Sequence, residues 1–301
     1  MSKLCAHPGI VVGVDGSPAS KAAVQWAARD AELRNVTLTL VHVLTAAGMR
    51  LGTPLRSNWT RGQQERGRQV IDEALKIIEE SCQQRGPAHI DSEVPSAAAV
   101  PALVDLSKKA DLVVVGRRGN GTLRGRPLGS VSSGLAHHAH CPVAIIHDDD
   151  PLMAHPAQAP VLVGIDGSPT SQLATAIAFD EASRRKVGLV APHAWSDVGV
   201  FDSVFDSCGI EWPALRSEED ETMAERLAGW CERYPDVSVR RVIVRDDEPA
   251  RQLVDQSESA QLVVVGSHGI GGFAGMLLGA VSAAVVQLAR MPVIVARQPK
   301  A

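Results

Sequence analysis

The feature that most constrains this chain is an internal repeat. Residues 10–18 read IVVGVDGSP, and residues 161–169, which lie 151 positions further on, read VLVGIDGSP. ADLVVVG at 110–116 recurs as AQLVVVG at 260–266, at an offset of 150. Because the offset is nearly constant, the two halves differ by few insertions and are expected to share one fold.

The boundary between the halves falls in a segment without a periodic hydrophobic pattern. Residues 147–160 contain three acidic residues and three prolines, a composition typical of a linker. The 301 residues are enough for two ordinary domains. We predict a first domain over residues 1–150 and a second over residues 157–301.

Within each half, short apolar runs alternate with helical patterns. Residues 10–14 form a β-rich apolar run, typical of a strand buried on both faces. Ser17 and Pro18 follow as a helix N-cap and a proline at the first helical position. Five such strands with intervening helices predict an α/β fold: two tandem, doubly wound, five-stranded parallel sheets of the Rossmann-like type.

Composition excludes several function classes. Hydrophobic residues make up 45% of the chain and charged residues 21%, which is the balance of a globular protein. The net charge of -4 gives no general attraction to nucleic acid or to an anionic membrane. We therefore expect neither a nucleic-acid partner nor membrane insertion.

Cysteine usage and the start of the chain bear on its compartment. The five cysteines are scattered and form no C-x-x-C pair, so neither a disulfide framework nor a metal site is expected. The apolar stretch at residues 10–14 ends at Asp15 and is too short for a signal peptide. We expect a cytoplasmic protein.

The end of the first predicted strand carries a carboxylate. Ligands of open parallel sheets bind beyond the carboxyl ends of the strands, where the strand order reverses. Asp15 lies at such an end, and a carboxylate there costs free energy unless it is hydrogen-bonded. A ribose hydroxyl or an adenine amino group would supply the partner, but Asp15 could instead cap the helix that begins at Pro18. The pattern leaves both interpretations open.

A glycine-rich loop follows the fourth predicted strand. Residues 116–130 combine several glycines with four arginines and no acidic residue. Glycines let backbone N–H groups approach a ligand closely, and the loop leads into a helix N-terminus, which favours an anion. A second copy lies at residues 266–279. This arrangement predicts a phosphate-binding loop in each half.

The spacing Gly116-x2-Gly119-x9-Gly129-Ser130 matches the G-2x-G-9x-G-(S/T) motif of universal stress proteins. With its V-G-V-D-G-S opening and CPVAII strand, the chain resembles a tandem universal stress protein over nearly all of residues 10–297. The resemblance implies that each domain binds ATP, with Mg²⁺.

The resemblance also implies which residues hold the nucleotide. Asp15 and its neighbours would hold the adenosine end, and Val43 would contact adenine through its backbone. The first candidate site comprises Gly13, Val14, Asp15, Val43, Gly116, Arg117, Gly119, Arg126, Gly129, Ser130, Val131 and Ser132. The second comprises Gly164, Ile165, Asp166, Ala194, Gly266, His268, Gly269, Gly272, Gly279, Val281 and Ser282.

The second repeat departs from the motif at one position. Gly279 is followed by Ala280, where the family has Ser or Thr, and residues 267–276 contain no Lys or Arg, only His268. A hydroxyl that bonds a charged phosphate contributes about 1.5–3 kcal/mol. We expect both sites to bind ATP, the second more weakly.

The resemblance implies a nucleotide-dependent regulator of stress response, dormancy or growth, acting as a homodimer with an unidentified regulatory protein partner. Neither G-x-G-x-x-G after the first strand nor G-x4-G-K-[ST] occurs, which disfavours a dehydrogenase and a P-loop NTPase. No catalytic residue can be assigned, so we expect at most weak ATP hydrolysis or autophosphorylation. A slow ATPase or phosphotransferase, and a scaffold with structural nucleotide, stay open as alternatives.

Overall fold

The computed structural model describes eight segments of the chain, and all statements below concern them. They are residues 8–44, 57–82, 85–120, 128–147, 158–195, 212–245, 248–269 and 277–297. The described residues up to 147 form one compact unit, and those from 158 to 296 form a second. The predicted domain limits at 150 and 157 lie outside the described residues and stay predictions.

The first unit is an open parallel sheet in which strands and helices alternate. Its strands lie in the order β3-β2-β1-β4-β5, so the strand order reverses between β1 and β4, which is where such folds bind ligands. In chain order the elements are β1 (Ile10–Gly13), α1 (Pro18–Arg34), β2 (Thr37–Val41), α2 (Ser57–Ser81), β3 (His89–Glu93), α3 (Ala99–Leu106), β4 (Leu112–Gly116), α4 (Ser130–His138) and β5 (Val143–Ile146).

The second unit repeats this topology. Its parallel strands lie in the order β10-β9-β6-β7-β8, with the reversal between β6 and β9. The predicted fold class is confirmed in both units. The elements are β6 (Val161–Val163), α5 (Pro169–Arg185), β7 (Leu189–Trp195), α6 (Trp212–Arg233), β8 (Val239–Arg245), α7 (Pro249–Ser257), β9 (Leu262–Gly266), α8 (Ala280–Leu288) and β10 (Val293–Ala296).

Local sequence accounts for the ends of the first helix of each unit. Ser17 caps α1 by accepting a hydrogen bond from the Ser20 N–H, and Pro18 follows, as predicted. The C-cap residue of α1 is Asn35, whose φ of 52° is left-handed, a conformation that asparagine tolerates well. Ser168 caps α5 in the same way.

Small side chains place α1 directly on the central strands. Ala23, Ala27 and Ala31 recur at helical spacing and are fully buried, so the helix axis can approach the sheet closely. At the end of β4, a Cβ added to Gly116 would lie 2.6 Å from the carbonyl carbon of Ala19. This close approach fixes the start of α1 beside the end of β4, where the glycine-rich loop begins.

Candidate functional site

A cavity of about 480 Å³ opens at the carboxyl ends of the central strands of the first unit. Its volume lies in the range of small-ligand sites. Arg126 lies outside the described residues, and every other residue predicted for the first site lines this cavity. The lining residues are Gly13, Val14, Asp15, Ser20, Val41, His42, Val43, Ala98, Ala99, Val100, Pro101, Leu103, Val115, Gly116, Arg117, Arg118, Gly119, Gly129, Ser130, Val131 and Ser132.

Asp15 joins the end of β1 to the glycine-rich loop. Its Oδ1 accepts a hydrogen bond from the Ser17 N–H at 3.0 Å, and its Oδ2 accepts one from the Asn120 N–H at 3.0 Å. Ser17, not Asp15, supplies the side-chain cap of α1, so the capping interpretation of Asp15 is wrong. A carboxylate oxygen has two lone pairs, and Asp15 can therefore also accept bonds from a ligand.

The N-terminus of α4 offers backbone donors to the same cavity. Gly129 is its N-cap residue and makes no side-chain cap hydrogen bond. The N–H groups of a first helical turn have no partner within the helix, and here Ser130, Val131 and Ser132 line the cavity. These N–H groups and the helix dipole favour an anion.

The hydroxyl of Ser132 forms hydrogen bonds within the glycine-rich loop. Its Oγ donates to the carbonyl oxygen of Arg117 at 2.8 Å and lies 3.1 Å from that of Gly129, and the side chain is buried. The Gly129 N–H also donates to the Arg117 carbonyl at 2.9 Å. The two ends of the glycine-rich loop are thus held together, and the hydroxyl hydrogen of Ser132 is used within the loop.

The second unit reproduces this backbone geometry. Asp166 Oδ1 accepts from the Ser168 N–H at 2.9 Å, and a Cβ added to Gly269 would lie 2.6 Å from Asp166 Oδ2. Gly279 is the N-cap residue of α8, again without a side-chain cap bond. Ser282 Oγ donates to the Gly266 carbonyl at 2.6 Å.

The remaining described residues predicted for the second site lie at strand ends or in the first turn of α8. Gly164 and Ile165 follow β6, and Ala194 belongs to β7, where its backbone pairs with Val244. Val281 lies in the first turn of α8, and His268 Nδ1 lies 3.1 Å from Ser267 Oγ. Gly272 lies outside the described residues.

Each unit has a histidine at or near the end of its second strand, and the two histidines differ in the contact of Nε2. His42 Nδ1 lies 2.7 Å from the Val14 carbonyl oxygen and His193 Nδ1 3.2 Å from that of Ile165. A carbonyl can only accept, so Nδ1 carries the proton in both. His193 Nε2 also lies 3.3 Å from Glu219 Oε2.

Sequence reasoning missed the apolar side of the first cavity. Ala98, Ala99, Val100, Pro101 and Leu103 belong to the start of α3 and line the cavity. They add to the apolar surface that valines at the strand ends bring to the cavity. The topology contained a signal for them. A helix that connects two parallel strands runs antiparallel to them, so the start of α3 lies near the carboxyl end of β4, where the loop begins.

Three further observations concern metal-ligating groups, a buried thiol and helix length in the described segments. There, no group of three or more His, Cys, Asp and Glu side chains is placed to hold a metal ion. Burial raises the pKa of the Cys141 thiol to about 12. None of the described helices combines the length and the apolar character needed to cross a membrane.

Together, the fold and the site define a class: two tandem open α/β domains, each with a glycine-rich loop and an uncapped helix N-terminus at the reversal of strand order. The universal stress protein family model matches residues 9–147 and 159–297. The chain belongs to the universal stress protein family, in its tandem form.

Relatives of the whole chain support this assignment. A universal stress protein of Mycobacterium tuberculosis strain H37Rv is 61% identical over 291 residues, which cover 96% of each chain. A second one from that strain is 52% identical over 299 residues, covering 99% of this chain and 100% of the relative. The crystal structure of a universal stress protein from Archaeoglobus fulgidus DSM 4304 matches with a TM-score of 0.67 at 21% identity, over 97% of this chain and 98% of that chain, which supports the fold.

Proposed function

We propose that each domain binds ATP and that the protein is an ATP-dependent regulator of stress response, dormancy or growth. The observation that carries this proposal is that Asp15 and the uncapped N-terminus of α4 line one cavity. The helix N-terminus suits phosphate groups, and a carboxylate suits the hydrogen-bond donors of ribose and adenine. A ligand with an anionic end and a donor-rich end matches both.

The apolar side of the cavity suits the base. Val43, Val100 and Pro101 line the cavity together with Asp15. A flat purine ring gains free energy by leaving water for such a surface, while the backbone of Val43 would contact its polar edge. We therefore assign the adenine to this side and the phosphates to the side of Ser130.

Mg²⁺ would enter with the phosphates. Asp15 is the one carboxylate among the described residues that line the cavity, and both of its oxygens already accept backbone N–H groups. Magnesium keeps several water ligands and is commonly bound through substrate phosphates. We propose that phosphate oxygens and water, rather than a dedicated protein site, hold the ion here.

We favour a regulator over an ATPase because the sequence assigns no catalytic residue. The Nδ1–H of His42 donates to the Val14 carbonyl, which orients the ring and leaves Nε2 able to accept a proton, so the slow ATPase stays the alternative. If ATP binds one conformation of the loops more tightly than the others, it shifts the population towards that conformation and so changes the surface available to partners. We propose a cytoplasmic homodimer that presents this surface to a regulatory protein partner.

Titration calorimetry with ATP and Mg²⁺ tests the proposal. The wild-type chain should bind two ATP, and Asp15→Ala and Asp166→Ala should each leave one. Asp105→Ala, at an exposed carboxylate on α3, is the matched control and should bind two. Absence of binding by the wild type, or two ATP bound by both site variants, would contradict the proposal. Sustained phosphate release would favour the slow ATPase.

A further inference from the structure

The start of the first glycine-rich loop is fastened by Asn120. The Nδ2 group of Asn120 donates to the carbonyl oxygen of Asp15 at 2.8 Å, and its backbone N–H donates to Asp15 Oδ2 at 3.0 Å. Asn120 is itself exposed, so burial of its side chain does not account for the arrangement. The two bonds close a ring between the end of β1 and the residue after Gly119.

The second repeat fastens its loop through a different residue. Position 270, which corresponds to Asn120, is isoleucine and has no side-chain donor. Instead Thr170, in the first turn of α5, donates its Oγ1 hydrogen to the His268 carbonyl. The first repeat has Ala19 at the corresponding place.

Serines at the helix caps make equivalent contacts in the two repeats. Ser168 Oγ lies 3.2 Å from the His268 carbonyl oxygen, and Ser17 Oγ lies 3.4 Å from that of Arg118. Both distances are long for a hydrogen bond from a hydroxyl. The residues that distinguish the two loops are therefore Asn120 in the first repeat and Thr170 in the second.

We propose that Asn120 is a positioning residue for the first nucleotide site, and that Thr170 has this role in the second. This inference rests on the proposed function. Asn120 holds Gly119 against the Asp15 carboxylate before the ligand arrives, so less ordering is left for binding to complete. Both bonds of Asn120 are made to Asp15, the residue that we assign to the adenosine. Their loss would therefore also free Asp15 to move away from the ligand.

The test replaces Asn120 with the residue of the other repeat. Amide hydrogen exchange of the ATP-free protein is measured at Gly119 and Asn120, and ATP dissociation is measured in an Asp166→Ala background so that the first site alone is read. Asn120→Ile should accelerate exchange and dissociation by about fivefold, the effect of one lost hydrogen bond. Asn120→Asp keeps the shape of the side chain but cannot donate a hydrogen bond from it. Exchange and ATP dissociation should be at least as fast in this variant as in Asn120→Ile.

A rescue separates this role from general destabilisation. Ala19→Thr, added to Asn120→Ile, places a threonine in the first repeat at the position that corresponds to Thr170. Its hydroxyl would donate to the Arg118 carbonyl, as that of Thr170 does to the His268 carbonyl. It should restore both rates to within about twofold of their starting values. Thr170→Ala is the counterpart and should accelerate exchange at Gly269 without changing exchange at Gly119.

The two measurements separate failure of this inference from failure of the proposed function. Unchanged exchange in Asn120→Ile overturns the loop-fastening role, whether or not ATP binds. Faster exchange with an unchanged rate of ATP dissociation overturns the positioning role. A parent protein that binds no ATP overturns the proposed function and the positioning role together, while the exchange result still shows whether Asn120 fastens the loop.

Discussion

The two repeats share a scaffold and differ in the side chains around the crevice. α1 and α5 each have 17 residues, with a serine cap and a proline in the first turn, and both glycine-rich loops end at an uncapped helix. The first repeat places arginines at 117 and 118 and a serine at 130, where the second has serine, histidine and alanine.

The crevice is therefore built mainly by the backbone. Glycine at 116 and 266, the aspartate at the strand end and the open helix N-terminus are present twice. Side chains then decide how strongly each loop is held and how much positive charge it carries.

The largest effect is expected from a methyl group at the end of β4. In Gly116→Ala the new Cβ would lie 2.6 Å from the carbonyl carbon and 2.7 Å from the carbonyl oxygen of Ala19, and backbone cannot rotate away. We expect a loss of about 3 kcal/mol in the stability of the first unit. Hydrogen exchange of first-unit peptides in urea measures it.

Gly266→Ala is the matched variant in the second unit. There the nearest atom is Thr170 Oγ1 at 2.8 Å, with backbone atoms at 3.1 Å, and the hydroxyl can turn aside at the loss of its hydrogen bond to the His268 carbonyl. We expect a loss of about 1–2 kcal/mol. Equal losses in the two variants would show that α1 and α5 approach their sheets with the same tolerance.

Removing one hydroxyl from the first site, or adding one to the second, should alter the difference in ATP affinity between them. Ser130→Ala removes the hydroxyl from the first site, and Ala280→Ser adds one to the second. Because such a contact contributes about 1.5–3 kcal/mol with a charged partner, ATP affinity should fall at least tenfold in the first variant and rise by a similar factor in the second. Calorimetry measures both, and an unchanged affinity in Ala280→Ser would show that this hydroxyl does not rank the sites.

The smallest effect concerns an ion pair that joins α6 to β8. Arg241 Nε and Nη2 donate to the two carboxylate oxygens of Asp220 at 2.8 and 2.9 Å. Both side chains are over one-third exposed, so Asp220→Asn should cost under about 1 kcal/mol at pH 7. Urea unfolding of the second unit measures the difference.

The pH dependence of this pair has a definite sign. The hydrogen bond from Arg241 lowers the pKa of Asp220, so its stabilisation is fully present above the ordinary aspartate pKa of about 3.9 and is lost as the pH falls through the lowered pKa. The difference between wild type and Asp220→Asn should therefore shrink below about pH 4. A difference that grows on acidification would contradict the assignment.

Much of the fold could be predicted because its signals are local. Uninterrupted β-branched runs, the Ser17 cap and the constant offset predicted both sheets, which the structure confirms. Helix boundaries depend less on local signals. The apolar spacing predicts a helix from about Arg61, whereas α2 begins at Ser57, because no capping pattern marks the residues before its apolar face.

The site was predictable in its backbone and less so in its side-chain contacts. Residues at the carboxyl ends of parallel strands must meet at one edge of the sheet, and the glycine spacing identified them. The bonds of Asn120 to Asp15 and of Thr170 to the His268 carbonyl connect residues about a hundred positions apart. Such contacts depend on side-chain directions, which hydrophobic periodicity and motif spacing do not specify.

The most direct test of the central claim is to identify and count the nucleotide released from freshly purified, heat-denatured protein by mass spectrometry. The account predicts ATP, at close to two molecules per chain if the shared backbone dominates and close to one if the side chains of the first repeat decide retention. A chain that releases no nucleotide and takes up no added ATP would contradict the claim that these crevices bind it.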